Sequence, residues 1–121
     1  AVLNAAYNDR KGVTADFNLN LLRHLNARYG AGFAVDNFAH YAAYNEAEGC
    51  IQMFLESRVA QSVTLAGRTI EFAAGERIHT ENSFKYAPEE FARLAAEGGF
   101  AVSLGWVDER PWCGGFLVEV L

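Results

Sequence analysis

The chain has 121 residues, of which 51% are hydrophobic and 21% charged, a composition that supports one modest core and excludes a disordered chain. Its formal net charge is −5, with only 10 Lys and Arg and no basic run, which excludes nucleic acid as a main partner because phosphate binding needs a concentrated basic face. No apolar run is long enough to span a membrane, and Ala1-Val2-Leu3-Asn4 does not read as a signal peptide.

Residues 14–29 are the first periodic segment. Phe17, Leu21, Leu22, Leu25 and Tyr29 recur at helical spacing, which predicts a helix that buries this face. Thr14 reads as its N-cap, Asp16 as an acid in the first turn, and Gly30 as its stop. Asn18, Arg23 and Asn26 fall on the opposite face, which reads as solvated. Beyond Gly32 the pattern becomes that of strands. Residues 40–45 form one candidate, and in the next Ile51, Met53 and Leu55 alternate with Gln52, Phe54 and Glu56. Residues 62–66 and 69–73 flank Gly67-Arg68, which reads as a two-residue hairpin turn with glycine first. Gly75 leads into a further strand over residues 77–82.

Pro88 suits the first position of a second helix, and Glu89 and Glu90 complement its N-terminal dipole. Phe91, Leu94 and Ala95 make its apolar face, and Gly98-Gly99 ends it. Phe100, Val102, Leu104 and Trp106 then alternate as a strand. Residues 108–111 turn the chain and residues 112–121 return as a last strand, with Trp106 and Trp112 packing the hairpin. A helix, an antiparallel sheet, a second helix and a hairpin make an α+β fold.

Cys50 and Cys113 are the only cysteines. They are too few for a stapled secreted scaffold and read as reduced thiols of a cytoplasmic protein. No CxxC or HxxxH spacing occurs, so no metal site is expected. His24, His40 and His79 read as surface or structural residues. No general base is identified, and no catalytic residue is assigned. Met53 is the single Met, so the chain is expected to begin inside a longer protein, and residues 116–121 read as a natural final strand.

In the tail, Pro88-Glu89-Glu90-Phe91-Ala92-Arg93-Leu94-Ala95-Ala96 runs into Glu97-Gly98-Gly99-Phe100 and the closing hairpin. This arrangement resembles the end of class I SAM-dependent methyltransferases. A SAM-binding Rossmann unit also needs a glycine-rich first strand-to-helix turn and an acidic residue about 20 residues further on. The nearest glycine segments, Gly75-Glu76-Arg77 and Gly98-Gly99-Phe100, do not open a βαβ unit. S-adenosylmethionine is therefore expected in the parent enzyme, with none bound by this chain alone.

Two stretches are more specific. One is Ala6-Tyr7-Asn8-Asp9-Arg10-Lys11-Gly12-Val13-Thr14-Ala15-Asp16-Phe17-Asn18-Leu19-Asn20, and the other is Phe72-Ala73-Ala74-Gly75-Glu76-Arg77-Ile78-His79-Thr80-Glu81-Asn82-Ser83-Phe84-Lys85-Tyr86. With Ile51-Gln52-Met53 between them, they closely resemble the histidine Nα-methyltransferases of ergothioneine biosynthesis, over nearly the whole chain. The resemblance implies a substrate-recognition insertion over residues 1–82. It implies that residues 83–121 are the last helix and antiparallel strand hairpin of a Rossmann-like core, the two packed as one unit. It also implies that Tyr7 holds the carboxylate of an amino-acid substrate, histidine, and that Glu81 and Ser83 hold the imidazole nitrogens. Met53 would pack against the ring and Thr14 would sit near it. An asparagine and further tyrosines would come from the upstream Rossmann portion. The hairpin around Gly67-Arg68 is shorter than in the best-known members, and Asn82 stands where some carry a small apolar residue.

The chemistry of these residues suits that role. A neutral imidazole offers one N–H donor and one acceptor nitrogen, which a carboxylate and a hydroxyl complement. Glu81 and Ser83 are two apart on a strand and point to one face, a face that strict alternation extends to His79. Met53 suits a flat, polarizable ring wall. Without the resemblance, Tyr7 reads equally as a packing tyrosine and Met53 as core. Glu81 by itself reads as a surface carboxylate paired with Arg77 or Lys85, since most carboxylates are surface groups, and Ser83 also reads as a turn cap. Two other readings stand beside the histidine enzyme. In one, the same scaffold serves another amino acid or amine. In the other, the chain is a non-catalytic α+β binding module whose exposed edges pair it as a homodimer.

Overall fold

The computed structural model describes residues 2–110 and 113–121. The expected turn through Pro111 and the packing of Trp112 lie outside the described residues. The fold is α+β with antiparallel sheets, and the chain divides into two compact units, Ala1–Phe84 and Lys85–Leu121.

The first unit opens with a helix that periodicity does not reveal, α1 (Val2–Tyr7), since six residues are too few to show a stripe. It is held by side chains. Asn4 Oδ1 accepts from the Tyr44 N–H at 2.8 Å and Asn8 Nδ2 donates to the Ala42 carbonyl at 3.0 Å. Both backbone groups belong to β1 (Phe38–Asn45), the edge strand of a three-stranded sheet ordered β1-β2-β5. The two asparagines thus occupy an edge that would otherwise be open to another chain.

Helix α2 (Val13–Tyr29) lies where the spacing predicts it, but with a different start and a different buried face. Gly12 is the N-cap residue, in the left-handed region at φ 72°, and has no side-chain cap bond. Asp9 does the capping: its carboxylate oxygens accept from Val13 N and Thr14 N, each at 3.0 Å. Thr14, expected as the cap, is already inside the helix. The buried stripe holds Asn18, at 4% exposure, and Leu22, with Leu19 and Leu25 partly buried beside it. Phe17 is 67% exposed, and Leu21 and Tyr29 are exposed as well. The expected solvated position of Asn18 is therefore wrong. Asn26 is also engaged, bonding the Phe33 backbone N–H and carbonyl at 2.9 and 2.8 Å.

Strand β2 (Cys50–Ser57) is central and alternates as its sequence predicts, with Ile51, Met53, Leu55 and Ser57 on the buried face. Strands β3 (Gln61–Leu65) and β4 (Arg68–Phe72) form a separate hairpin. Its turn is Ala66-Gly67, one residue earlier than expected, because Leu65 pairs with Arg68. Ala66 and Gly67 have φ values of 49° and 74°, the doubly left-handed geometry whose twist matches a hairpin. Strand β5 (Arg77–Phe84) completes the sheet. One apolar cluster joins Leu22, Phe33, Phe38, Leu55, Val63 and Phe72. A smaller cluster joins Ala42, Ile51 and Met53 under Leu3, Tyr7 and Tyr44.

The second unit contains α3 (Pro88–Glu97) and a hairpin of β6 (Phe100–Val107) and β7 (Gly114–Val120). Pro88 opens α3 as expected, and Glu90 reaches back to accept from the Ala87 N–H at 2.7 Å. Phe91 of α3 stacks on Phe116 of β7 with ring centroids 4.4 Å apart. The expected single face of Phe100, Val102, Leu104 and Trp106 is interrupted. Val102 pairs with Val118 but Leu104 with Leu117, so Ser103 is an extra residue and the faces exchange there. Cys50 is buried, Cys113 is exposed, and both thiols are free. Among the described residues no helix is long and apolar enough to cross a membrane.

Candidate functional site

Strand β5 builds the site. Its register against β2 sets Ser83 opposite Ile51 and Glu81 opposite Met53. Residues opposite one another in a ladder share a face, so Glu81 and Ser83 emerge on the side that α1 and α2 cover. Strict alternation would add His79 to that face. Instead the register shifts between Met53 and Phe54, and His79 pairs with Phe54. Thr80 is the extra residue, its hydroxyl donating to the Met53 carbonyl at 3.0 Å. The bulge turns His79 to the opposite face, where it stacks on Phe54 at 4.9 Å and bonds Asn82 Oδ1 at 2.7 Å.

Arg77 also belongs to that outer face. Its Nε donates to Glu56 at 2.7 Å, and its guanidinium lies 3.8 Å from the Tyr41 ring centroid. The hydrogen bond to Glu56 raises the Arg77 pKa above its ordinary value. Arg77 is thus committed away from Glu81.

On the helix side, the Tyr7 hydroxyl and Ser83 Oγ are hydrogen-bonded at 2.9 Å, although 76 positions separate them. Tyr7 packs on the cluster that contains Met53, which is 2% exposed. Glu81 is exposed and faces an open cleft of about 310 Å³. The β5 wall of this cleft is Thr80 and Glu81, and the α2 wall is Phe17, Asn18, Asn20, Leu21 and His24. Tyr7, Ser83 and Met53 do not line the cleft; they lie further along the same sheet face. Thr14 lies in the first turn of α2, outside the cleft wall. Its N–H, with the Val13 N–H and the Thr14 hydroxyl, holds the Asp9 carboxyl below the ordinary carboxylate range.

Sequence reasoning missed Phe17, Asn18 and His24 as cleft residues. Asn18 carried a usable signal: it stands four residues before Leu22, so an amide occupies the buried stripe. Both its amide protons are used, one toward His40 Nδ1 and one toward the Phe54 carbonyl, each at 3.0 Å. His40 Nε2 in turn lies 2.8 Å from the Tyr7 carbonyl. No group of three or more His, Cys, Asp or Glu poised to hold a metal occurs among the described residues.

The model for histidine-specific, SAM-dependent methyltransferases matches residues 1–120. The chain belongs to that methyltransferase family. Two histidine N-alpha-methyltransferases resemble it. The one from Mycolicibacterium smegmatis is 43% identical over 105 residues, covering 85% of this chain and 33% of the relative. The one from Mycobacterium tuberculosis is 40% identical over 111 residues, covering 90% of this chain and 35% of the relative. The chain therefore spans about a third of the length of these methyltransferases.

Membership of a SAM-dependent family raises the question of whether these residues fit the methyl donor. A dinucleotide-type nucleotide fold presents its ligand at a glycine-rich turn between a parallel strand and a helix. Every ladder among the described residues is antiparallel, and Gly98-Gly99 leads from a helix into a strand. The residues present do not fit S-adenosylmethionine.

Proposed function

We propose that this chain is the acceptor-recognition part of a SAM-dependent histidine Nα-methyltransferase. Residues 1–82 act as the substrate-recognition insertion, and residues 83–121 close the methyltransferase core. The observation that carries the reading is the common face of Glu81 and Ser83 on β5, opposite Met53 and Ile51 and joined to Tyr7 through the 2.9 Å bond to Ser83. Glu81 accepts the imidazole N–H, and the Ser83 hydroxyl serves the other ring nitrogen. Tyr7 holds the substrate carboxylate, and Met53, buried opposite Glu81 and beneath Tyr7, backs the site from the sheet, with Thr14 in the first turn of α2 contributing from outside the cleft wall.

The donor is held by the remainder of the protein, and its sulfonium supplies the reactivity. What this part contributes is positioning. It holds the histidine so that a neutral α-amine lies in line with the methyl group, and such orientation lowers the barrier by avoiding lost freedom at the moment of reaction. Each transfer would form one N–C bond as the donor's S–CH₃ bond breaks and the donor leaves as a neutral thioether, and the amine would release a proton to solvent before the next transfer. By itself the chain is catalytically silent.

The test is Glu81→Gln in the full-length protein. Glu81 is exposed, so the variant should melt with the wild type, within about 0.5 kcal/mol. Its kcat/KM for histidine should fall about tenfold or more, the worth of a hydrogen bond to a charged group. Histidine should be the preferred acceptor of the wild type among amino acids. A wild type that prefers tryptophan, or a Glu81→Gln enzyme with unchanged kcat/KM, would overturn the reading.

A further inference from the structure

Two residues of β5 are fixed on the helix-covered face by independent contacts. Ile78 lies opposite Leu55 and packs on the larger apolar cluster, and Ser83 lies opposite Ile51 and is bonded to the Tyr7 hydroxyl at 2.9 Å. They stand five positions apart. Strands alternate with a period of two, so residues an odd number apart fall on opposite faces. Both ends can share a face only if one residue between them is left out of the ladder. That residue is Thr80, which has no partner on β2. Burial of the two ends does not dictate this choice. With the bulge moved along so that Asn82 is left out, Thr80 would lie opposite Met53 and Glu81 opposite Gln52. Ile78 and Ser83 would keep their places, while Glu81 would leave the inner face. What singles out Thr80 is its hydroxyl, which donates to the Met53 carbonyl at 3.0 Å and ties the extra residue to the strand it skips.

We propose that Thr80 is a positioning residue that pins the bulge at this place and thereby aims Glu81 into the cleft. The inference rests on the reading of Glu81 as the acceptor for the imidazole N–H and adds the residue that sets its direction. The two arrangements of β5 share the same buried ends and differ in the face taken by one carboxylate. The choice between them falls to local terms, and one hydrogen bond is enough to tilt it. A bulge beside a binding site that re-aims a single side chain is a recurrent device of sheets. Threonine suits the position on both counts: it is a good strand residue, and it carries the donor that the Met53 carbonyl receives. A valine would lose that bond and, being apolar, would favour the place opposite Met53 against the buried cluster. Thr80 is half-buried beside Glu81 in the cleft wall, and its hydroxyl is spent on the backbone of β2, so its action on the ligand passes through Glu81.

The experiment is a double-mutant cycle on kcat/KM for histidine in the full-length protein. Thr80→Val should lower kcat/KM about fivefold, the worth of one hydrogen bond. Thr80→Ser, which keeps the hydroxyl, should recover most of the wild-type value. In a Glu81→Gln background, Thr80→Val should change kcat/KM by less than about twofold, because a residue that acts through Glu81 has nothing left to position. Losses that simply multiply would mean that Thr80 acts apart from Glu81, as a direct contact or as general support for the fold, and would overturn the proposal. A folded Thr80→Val enzyme with wild-type kcat/KM, or a Thr80→Ser enzyme no better than Thr80→Val, would do the same. Where Thr80→Val does not fold, Thr80→Ser decides alone: activity near the wild type supports the proposal, and activity as low as that of Glu81→Gln sinks it. Unchanged kcat/KM in Glu81→Gln itself would instead remove the reading of Glu81, and this inference with it.

Discussion

At the scale of single residues, what the sequence reveals depends on how local the interaction is. Ser83, Glu81 and Tyr7 stand in recognisable motifs, and alternation alone places Glu81 and Ser83 on one face. The spacing of Asn18 from Leu22 marks it as a buried amide, but not what it bonds, because its partners, His40 and the Phe54 carbonyl, are 22 and 36 positions away. Polar residues on helices are usually solvated, and only the fold shows that both amide protons of this one are used. Asp9 is the opposite case. Its bonds to Val13 and Thr14 are within five residues, yet Thr14 reads as the cap because it directly precedes the apolar period. The Thr14 backbone N–H chiefly holds the Asp9 carboxyl below its ordinary pKa. A folded-state pKa below the unfolded one means stability that is present above about pH 4 and lost as pH falls through the folded value. Asp9→Asn should therefore melt below the wild type at pH 7, and the gap between the two should narrow as pH falls below about 4. A gap that persists unchanged at pH 3 would show that the charge plays no part in the cap.

At the scale of elements, existence is more legible than register. The long apolar periods mark α2 and β2, and Pro88 with Gly98-Gly99 brackets α3. Bulges are invisible, because nothing about Thr80 or Ser103 as residue types marks an extra position in a ladder. Yet Thr80 decides that His79 leaves the face of Glu81. The β3–β4 turn shows the same limit from another side. Glycine-first turns are common in hairpins, so Gly67-Arg68 is the natural reading. The structure instead puts Ala66 in the left-handed region at φ 49° and lets Gly67 follow. An alanine there is strained, whereas Asn-Gly is the favoured pair for this turn. Ala66→Asn should stabilise the protein by about 1 kcal/mol. In urea the midpoint should rise while the slope is kept. A lower midpoint would mean that the turn has a different conformation in solution.

At the scale of the whole molecule, the α+β order can be read from the succession of periods, whereas no composition change or linker marks the division after Phe84, and only the family resemblance sets a boundary, after residue 82. The same scale decides how much binding this chain can supply. Its share of the site is one-sided: an open cleft between α2 and β5, with Glu81 exposed to water. Tyr7 and Ser83 are bonded to each other, so a ligand that uses both hydroxyls must compete with that bond. Hydrogen bonds made in contact with water return little net free energy, and enclosure is what makes them count. The chain also spans only about a third of the length of its relatives. The 121-residue chain should therefore bind histidine at least about a hundredfold more weakly than the full-length protein, a difference near ~3 kcal/mol. Parallel calorimetric titrations would measure it. Micromolar affinity in the chain alone would mean that the cup is complete within it and that the remainder of the protein adds the methyl donor without adding walls.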